Sequence, residues 1–129
     1  MKIVQTLNAR DSLAKVNKIK FNDFNITIRV FKLTKRVNEI LEIVQMEQKR
    51  IIEEYVLTDE KGNPVIENSR YKFKNVSDAK QYEEEYAVML NTEADDLEQI
   101  QIPLASVKSA TDISSEDLIK LVSLIEWVE

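Results

Sequence analysis

The 129-residue chain contains no cysteine, no histidine, a single glycine and two prolines. Without cysteine no disulfide contributes to stability, and the redox compartment is left open. Without histidine the side chain most often used for proton transfer and metal ligation near neutral pH is missing. Catalysis built on Cys or His, and zinc sites rich in those residues, are thereby excluded. With Gly62 alone, neither a P-loop nor a dinucleotide-binding turn can form, because both need several glycines for close backbone approach to phosphate. Only carboxylate, Lys, Ser/Thr or Tyr chemistry is left. Long apolar runs are missing as well. The longest uncharged run, Gln99–Val107, is far shorter than the ~20 residues that span a bilayer. Lys15, Lys18 and Lys20 interrupt the apolar N-terminal residues too early for a signal peptide. The expectation is a soluble intracellular protein with no membrane contact, no metal and no cofactor.

What is present is charge, unevenly divided. Hydrophobic residues make up 43% and charged residues 32%, a globular composition with the surplus charge of long exposed helices. The length fits one domain, 1–129. Residues 1–36 hold nine Lys/Arg and two acids, a charge of +7, whereas residues 37–129 hold nine and twenty-one, a charge of −12. A net charge of −5 therefore conceals a basic front and an acidic rear. Such a division implies either neutralisation inside the fold or a charged docking surface.

The pattern along the chain predicts an α+β fold that is mostly helical. Residues 2–7 read as a short edge strand, followed by a helix from Ala9 to about Asn17 capped by Asn8. From about Asn25 to Leu57, Val30, Leu33, Val37, Ile40, Val44, Ile51 and Tyr55 mostly alternate steps of three and four, the mark of a helix–helix seam. The step from Val44 to Ile51 leaves a polar gap at Glu47 or Gln48. Ile26–Val30 alternates and is β-branched at most positions, so the start of this helix competes with a strand. Asp59–Pro64 is a turn by its Gly and Pro, and Asn68-Ser69 between Val65-Ile66 and Tyr71–Phe73 suits a small hairpin or an ordered loop. Ser77 then opens a helix to about Asn91, with Ala79, Tyr82, Tyr86 and Met89/Leu90 on one side. These two helices form a long antiparallel hairpin. Residues 98–103 alternate and end in a proline, the natural antiparallel partner of 2–7. Ser114 with Asp117 resembles a capping box that opens a buried C-terminal helix, Leu118 to Val128, anchored by Trp127.

Three constellations carry possible function. Glu83, Glu84, Glu85, Glu93, Asp95, Asp96 and Glu98 form an acidic stretch without a base, and Glu84, Glu85, Asp95 and Asp96 are the candidate protein-binding residues. A divalent-cation site is the weaker reading, because the spacing fits no calcium loop and lacks its glycine. The basic stretch Lys15, Lys18, Lys20, Arg29, Lys32, Lys35 and Arg36 interleaves Phe21 and Phe24, a combination that grips single-stranded nucleic acid. The plainer reading puts both Phe residues in the core, and the overall acidity opposes a polyanion. Adjacent carboxylates such as Glu53/Glu54 and Asp95/Asp96 point apart on a helix and make no general acid/base couple, so no enzyme is expected.

Lys2-Ile3 leading into Asn8–Leu13, the long charged helix, the Asp59–Pro64 turn and the terminal Ser115–Leu118…Glu126-Trp127 segment resemble a group of small uncharacterised proteins of tailed phages and prophages of low-GC Gram-positive bacteria. The resemblance spans nearly the whole chain and carries no catalytic signature. It implies an accessory protein of the host-cell cytoplasm that binds a host or phage protein stoichiometrically, inhibiting a host defence or regulatory factor. The alternative is a virion-assembly chaperone or minor structural module that self-associates through its long helix.

Overall fold

A computed structural model describes residues 1–94, 97–108, 110 and 112–129. Among the described residues there are five helices and two two-stranded sheets, a mostly helical α+β fold. The chain divides into two compact units: Met1–Leu41 with Glu93–Glu129, and Glu42–Thr92. A long helix, α2 (Phe24–Tyr55), supplies residues to both.

In the first unit, α1 spans Ile3–Asn17, so the strand expected at residues 2–7 is a helix instead. The reason lies in which side chains it buries. Ile3, Thr6, Ala9, Ser12, Leu13 and Val16 recur every three or four positions, a helical stripe half made of small residues that hydrophobicity alone does not reveal. The Gln5 side chain accepts from the Lys2 backbone N–H (2.8 Å) and holds the first turn. At the start of α2, Asp23 accepts from the Asn25 N–H (2.9 Å) and its carbonyl takes the first helical bond. That cap, together with burial of Ile26, Val30, Leu33, Val37 and Leu41 at steps of three and four, overrides the β-branched alternation of Ile26–Val30.

The C-terminal segment also departs from expectation. Helix α5, numbered after α3 (Asp78–Asn91) and α4 (Ala105–Lys108), covers only Ser115–Lys120, and the chain turns through Leu121–Leu124 into strand β4 (Ile125–Val128). Leu121, Leu124 and Ile125 are almost inaccessible, but Ile119 and Val122 are exposed and the single buried helix Leu118–Val128 is not formed. β4 pairs with β3 (Ile100–Pro103) in parallel, Ile100 opposite Ile125 and Ile102 opposite Trp127. The expected antiparallel pairing of 2–7 with 98–103 is therefore replaced. Ile125 and Trp127 turn inward and Glu126 outward, the period of two that a strand requires. The core joins Ala9, Leu13 and Val16 of α1 to the buried face of α2, Ile102, Leu121, Leu124 and Ile125.

In the second unit, Val44, Ile51, Tyr55 and Val56 are buried. The polar gap between Val44 and Ile51 is filled by Gln48, whose amide donates to the Tyr86 hydroxyl of α3 (2.9 Å). Arg50 meets Glu85 one residue earlier on α3, so the two helices run antiparallel as expected. Between them lies the hairpin of β1 (Ile66–Glu67) and β2 (Arg70–Tyr71), which is antiparallel. Asn68 (φ 52°) and Ser69 (φ 63°) both take positive φ, the backbone of a tight two-residue hairpin turn. Gly62 (φ 81°) performs the same service in the preceding turn, which Asp59 braces by accepting from the Lys61 and Asn63 N–H groups. The Lys74 amine donates to the Glu53 carbonyl near the end of α2. Ser77 stands at the cap position of α3, but its hydroxyl makes no capping bond; the Asp78 carboxylate instead accepts from Asn75.

Candidate functional site

The most highly organised polar cluster lies in the first unit, around Asp117. The capping box expected from Ser114 and Asp117 is present: the Ser114 hydroxyl accepts from the Asp117 N–H (3.1 Å), and the carboxylate accepts from the Ser114 N–H (2.9 Å). The same carboxylate accepts from the Ser12 hydroxyl (2.7 Å) and the Lys15 amine (3.0 Å) of α1. Asp117 is 5% exposed. These donors, the Ser114 N–H first and the Ser12 hydroxyl next, hold its carboxyl well below the usual carboxylate range, against the opposing effect of burial. Ser, Lys and Asp in contact invite a catalytic reading. The geometry serves packing better: Ser12 is buried and commits its proton to the carboxylate, leaving no hydroxyl aimed at a cavity. The cluster is a clasp between α1 and α5.

In the second unit the charged groups gathered around Arg50 are largely exposed. Arg50 reaches Glu47 (2.7 Å), Glu54 and Glu85 (3.6 Å), and its hydrogen bond to Glu47 holds that carboxyl below its ordinary value. The Tyr55 hydroxyl lies beside Glu85 and Glu54; burial first, then these carboxylates, push it up to about 12. Nearby, Tyr82 contacts Phe73 (5.5 Å between ring centres), Tyr86 (5.8 Å) and Tyr71 (6.0 Å). These rings pack the hairpin on α3.

The sequence-predicted contact residues separate. Glu84 is exposed on α3, 4.0 Å from Lys80. Its neighbour Glu85 turns toward Arg50 and buries one carboxylate oxygen. Asp95 and Asp96 lie outside the described residues. Glu93 belongs to the first unit and meets the Met1 amino group (2.8 Å). Among the described residues no group of three acidic side chains converges as a metal-ligand set, and no helix is long and apolar enough to cross a membrane.

The basic front is placed differently from its plainer reading. Phe21 packs against the core, but Phe24 is 73% exposed and Phe31 is 63% exposed. Both project from α2 on the side away from the buried stripe. A helical wheel would have found them, because Phe24, Ile28 and Phe31 stand at i, i+4 and i+7 opposite the seam. Arg29, Lys32 and Arg36, with Leu33, Leu97, Glu98 and Ile100, line a groove of about 260 Å³ in the first unit. A second opening, about 350 Å³, is ringed by Lys15, Lys18 and Lys20 facing Asp112, with Ile19 and Ile113. Lys15 is already held by Asp117 there.

Compared with known proteins, the chain matches no family model, no curated protein and no solved structure.

Proposed function

We propose that this protein acts by stoichiometric binding to another protein rather than by catalysis, as a phage accessory protein in the host-cell cytoplasm. The observation that carries the reading is the display of large apolar side chains on outward helix faces. Phe24 and Phe31 in the first unit, and Ile43, Met46 and Val88 in the second, stand among charged residues and are more than half exposed. Apolar side chains grouped on one exposed helix face, as Phe24 with Phe31 and Ile43 with Met46 are, mark contact surfaces where singly scattered ones do not. The best-connected polar groups, meanwhile, are engaged with one another in the clasp and the Arg50 cluster. The phage setting rests on the sequence resemblance.

Capture from phage-infected and uninfected Gram-positive lysate with the tagged protein tests the reading. A stoichiometric host protein in both samples supports inhibition of a host factor. A head or tail protein found only after infection moves the role to assembly. Recovery of the bait alone defeats protein binding to another partner. The acidic contact is tested by Glu84→Lys with Asp95→Lys and Asp96→Lys, which is expected to abolish capture at unchanged thermal stability. Glu85 is left in place, because a lysine there would face Arg50 and disturb the fold.

A further inference from the structure

We infer that the outward face of α2 between Phe24 and Arg36 docks an acidic amphipathic helix of another protein; the inference rests on the protein-binding reading above and names the partner's chemistry. At about 100° per residue, Phe24, Ile28 and Phe31 fall within about 60° of arc, and the two rings stand about 10 Å apart along the axis. Ile26, Val30, Leu33 and Val37 occupy the opposite, buried side. The stripe, exposed at Phe24 and Phe31 and half-buried at Ile28, is thus separate from the core. It offers the anchor spacing with which one helix lies along another.

Charge decides what can cover it. From Phe24 to Asn38 the helix has four cations and no acid. Among the described residues, Arg29, Lys32 and Lys35 enter no ion pair, and Arg36 is engaged with Glu39. A second copy laid face to face by a two-fold axis would set these cations against one another, so the stripe is unsuited to isologous self-pairing. The chain's own acidic helix is a poor heterologous partner too. Its exposed side carries Glu83 and Glu84 but a single large apolar group, Val88. Single-stranded nucleic acid fits the sign of the charge. However, two rings about 10 Å apart on a convex helix do not offer successive bases a continuous stacking platform, and the chain's net charge of −5 opposes a polyanion. An acidic helix with apolar residues at i, i+3 or i+4, and i+7 satisfies both parts of the surface. Its carboxylates meet Arg29, Lys32 and Lys35 while its apolar stripe covers Phe24 and Phe31.

The experiment uses the full chain and fluorescein-labelled peptides of about eighteen residues, long enough for five helical turns. One has leucines at helical spacing and glutamate elsewhere; the others are its scramble and its lysine-for-glutamate counterpart. Fluorescence anisotropy should show the acidic amphipathic peptide binding at least about tenfold tighter than either control, and more weakly as salt is raised. Phe24→Ser with Phe31→Ser, and separately Lys32→Glu with Lys35→Glu, should each weaken it about tenfold, while the thermal melt stays unchanged because these side chains are exposed. Glu60→Lys, at an exposed turn of the second unit, should leave it unaltered. Equal binding of the scramble overturns the inference, as does tighter binding of oligothymidine or of phosphatidylglycerol vesicles. So does self-association in light scattering that the double Phe change removes. Should a captured lysate partner survive the Phe24/Phe31 change, this face is the wrong one and the protein-binding reading stands. Loss of all capture with wild-type bait is failure of that reading itself.

Discussion

Each unit of this chain holds a carboxylate cluster joining distant parts of the sequence, and the two are built from similar chemistry in opposite surroundings. In the first, Asp117 is buried and accepts from Ser114, Ser12 and Lys15, so one carboxylate ties α1 to α5. In the second, Arg50 is half exposed and shared among Glu47, Glu54 and Glu85. Contact with water separates them. An exposed ion pair trades protein partners for hydration at almost no net gain, whereas a buried carboxylate that loses its donors, or donors that lose it, have nothing to replace the bond. The lesson is that connectivity in a contact map says little about stability until burial is known.

The largest expected effect breaks the buried side of this comparison. Asp117→Ala leaves the Ser12 hydroxyl and the Ser114 N–H without their acceptor and should cost about 2–3 kcal/mol in urea unfolding. The only tryptophan, Trp127, lies in the first unit and all four tyrosines lie in the second, so Trp emission and Tyr absorbance follow the two units separately. The loss should be read by Trp127. An intact Trp transition in this variant would show that the clasp is dispensable.

The pH dependence should run in opposite directions. The Asp117 carboxyl is depressed in the folded protein, so its contribution is complete above its ordinary value of 3.8 and is lost as pH falls below that toward the folded value. Acid should therefore weaken the first unit below about pH 4, and Asp117→Asn should flatten that slope. Tyr55 is raised from 10.0 to about 12, so its contribution is complete below 10 and lost as pH rises through about 12. Alkali should weaken the second unit in that window. Tyr55→Phe should reduce the dependence, with Tyr82, raised chiefly by burial, keeping the remainder. Equal acid and alkaline responses from both probes would defeat the contrast.

Smaller effects sharpen it. Lys15 is 43% exposed, so Lys15→Ala should cost less than about 1 kcal/mol, because water screens the Lys15–Asp117 pair and the carboxylate keeps its Ser12 and Ser114 donors. Arg50→Ala should leave the denaturation midpoint of the second unit unresolved from wild type. A large loss from Arg50→Ala would mean that exposure does not govern the difference.

The charge division of the sequence has a related resolution. The basic residues 1–36 and the acidic C-terminal residues fall in the same unit, and that unit, Met1–Leu41 with Glu93–Glu129, holds eleven Lys/Arg against twelve acids. The Lys15–Asp117 pair, 102 residues apart, and the pair of the Met1 amino group with Glu93 are parts of this neutralisation. Ser114 and Asp117 were legible as a cap from their spacing, but the clasp was not, because nothing local in Ser12 or Lys15 records a partner so far along the chain. The contact residues were legible only in part. Glu84 stands exposed as its position suggested, whereas Glu85 turns to Arg50 because adjacent residues on a helix point in different directions. Phe24 and Phe31 were missed as exposed groups, since hydrophobicity suggests burial and only their angle to the seam shows otherwise.

By itself the sequence determined the elements whose signals are local: the 3–4 seam of α2, the Gly62 turn, the Asn68-Ser69 hairpin, α3 and the Ser114 cap. Each depends on backbone preferences and on side chains within a few positions. Tertiary structure decided the rest. It made residues 3–7 the first turns of α1, because Thr6, Ala9 and Ser12 become a buried face only when packed. It ended α5 at Lys120, because Ile125–Val128 gains a ladder with Ile100–Pro103 that no neighbouring residue supplies. A segment apolar on most sides satisfies helix and strand equally well, and the hydrogen-bond partner that arrives from elsewhere in the chain settles which one forms.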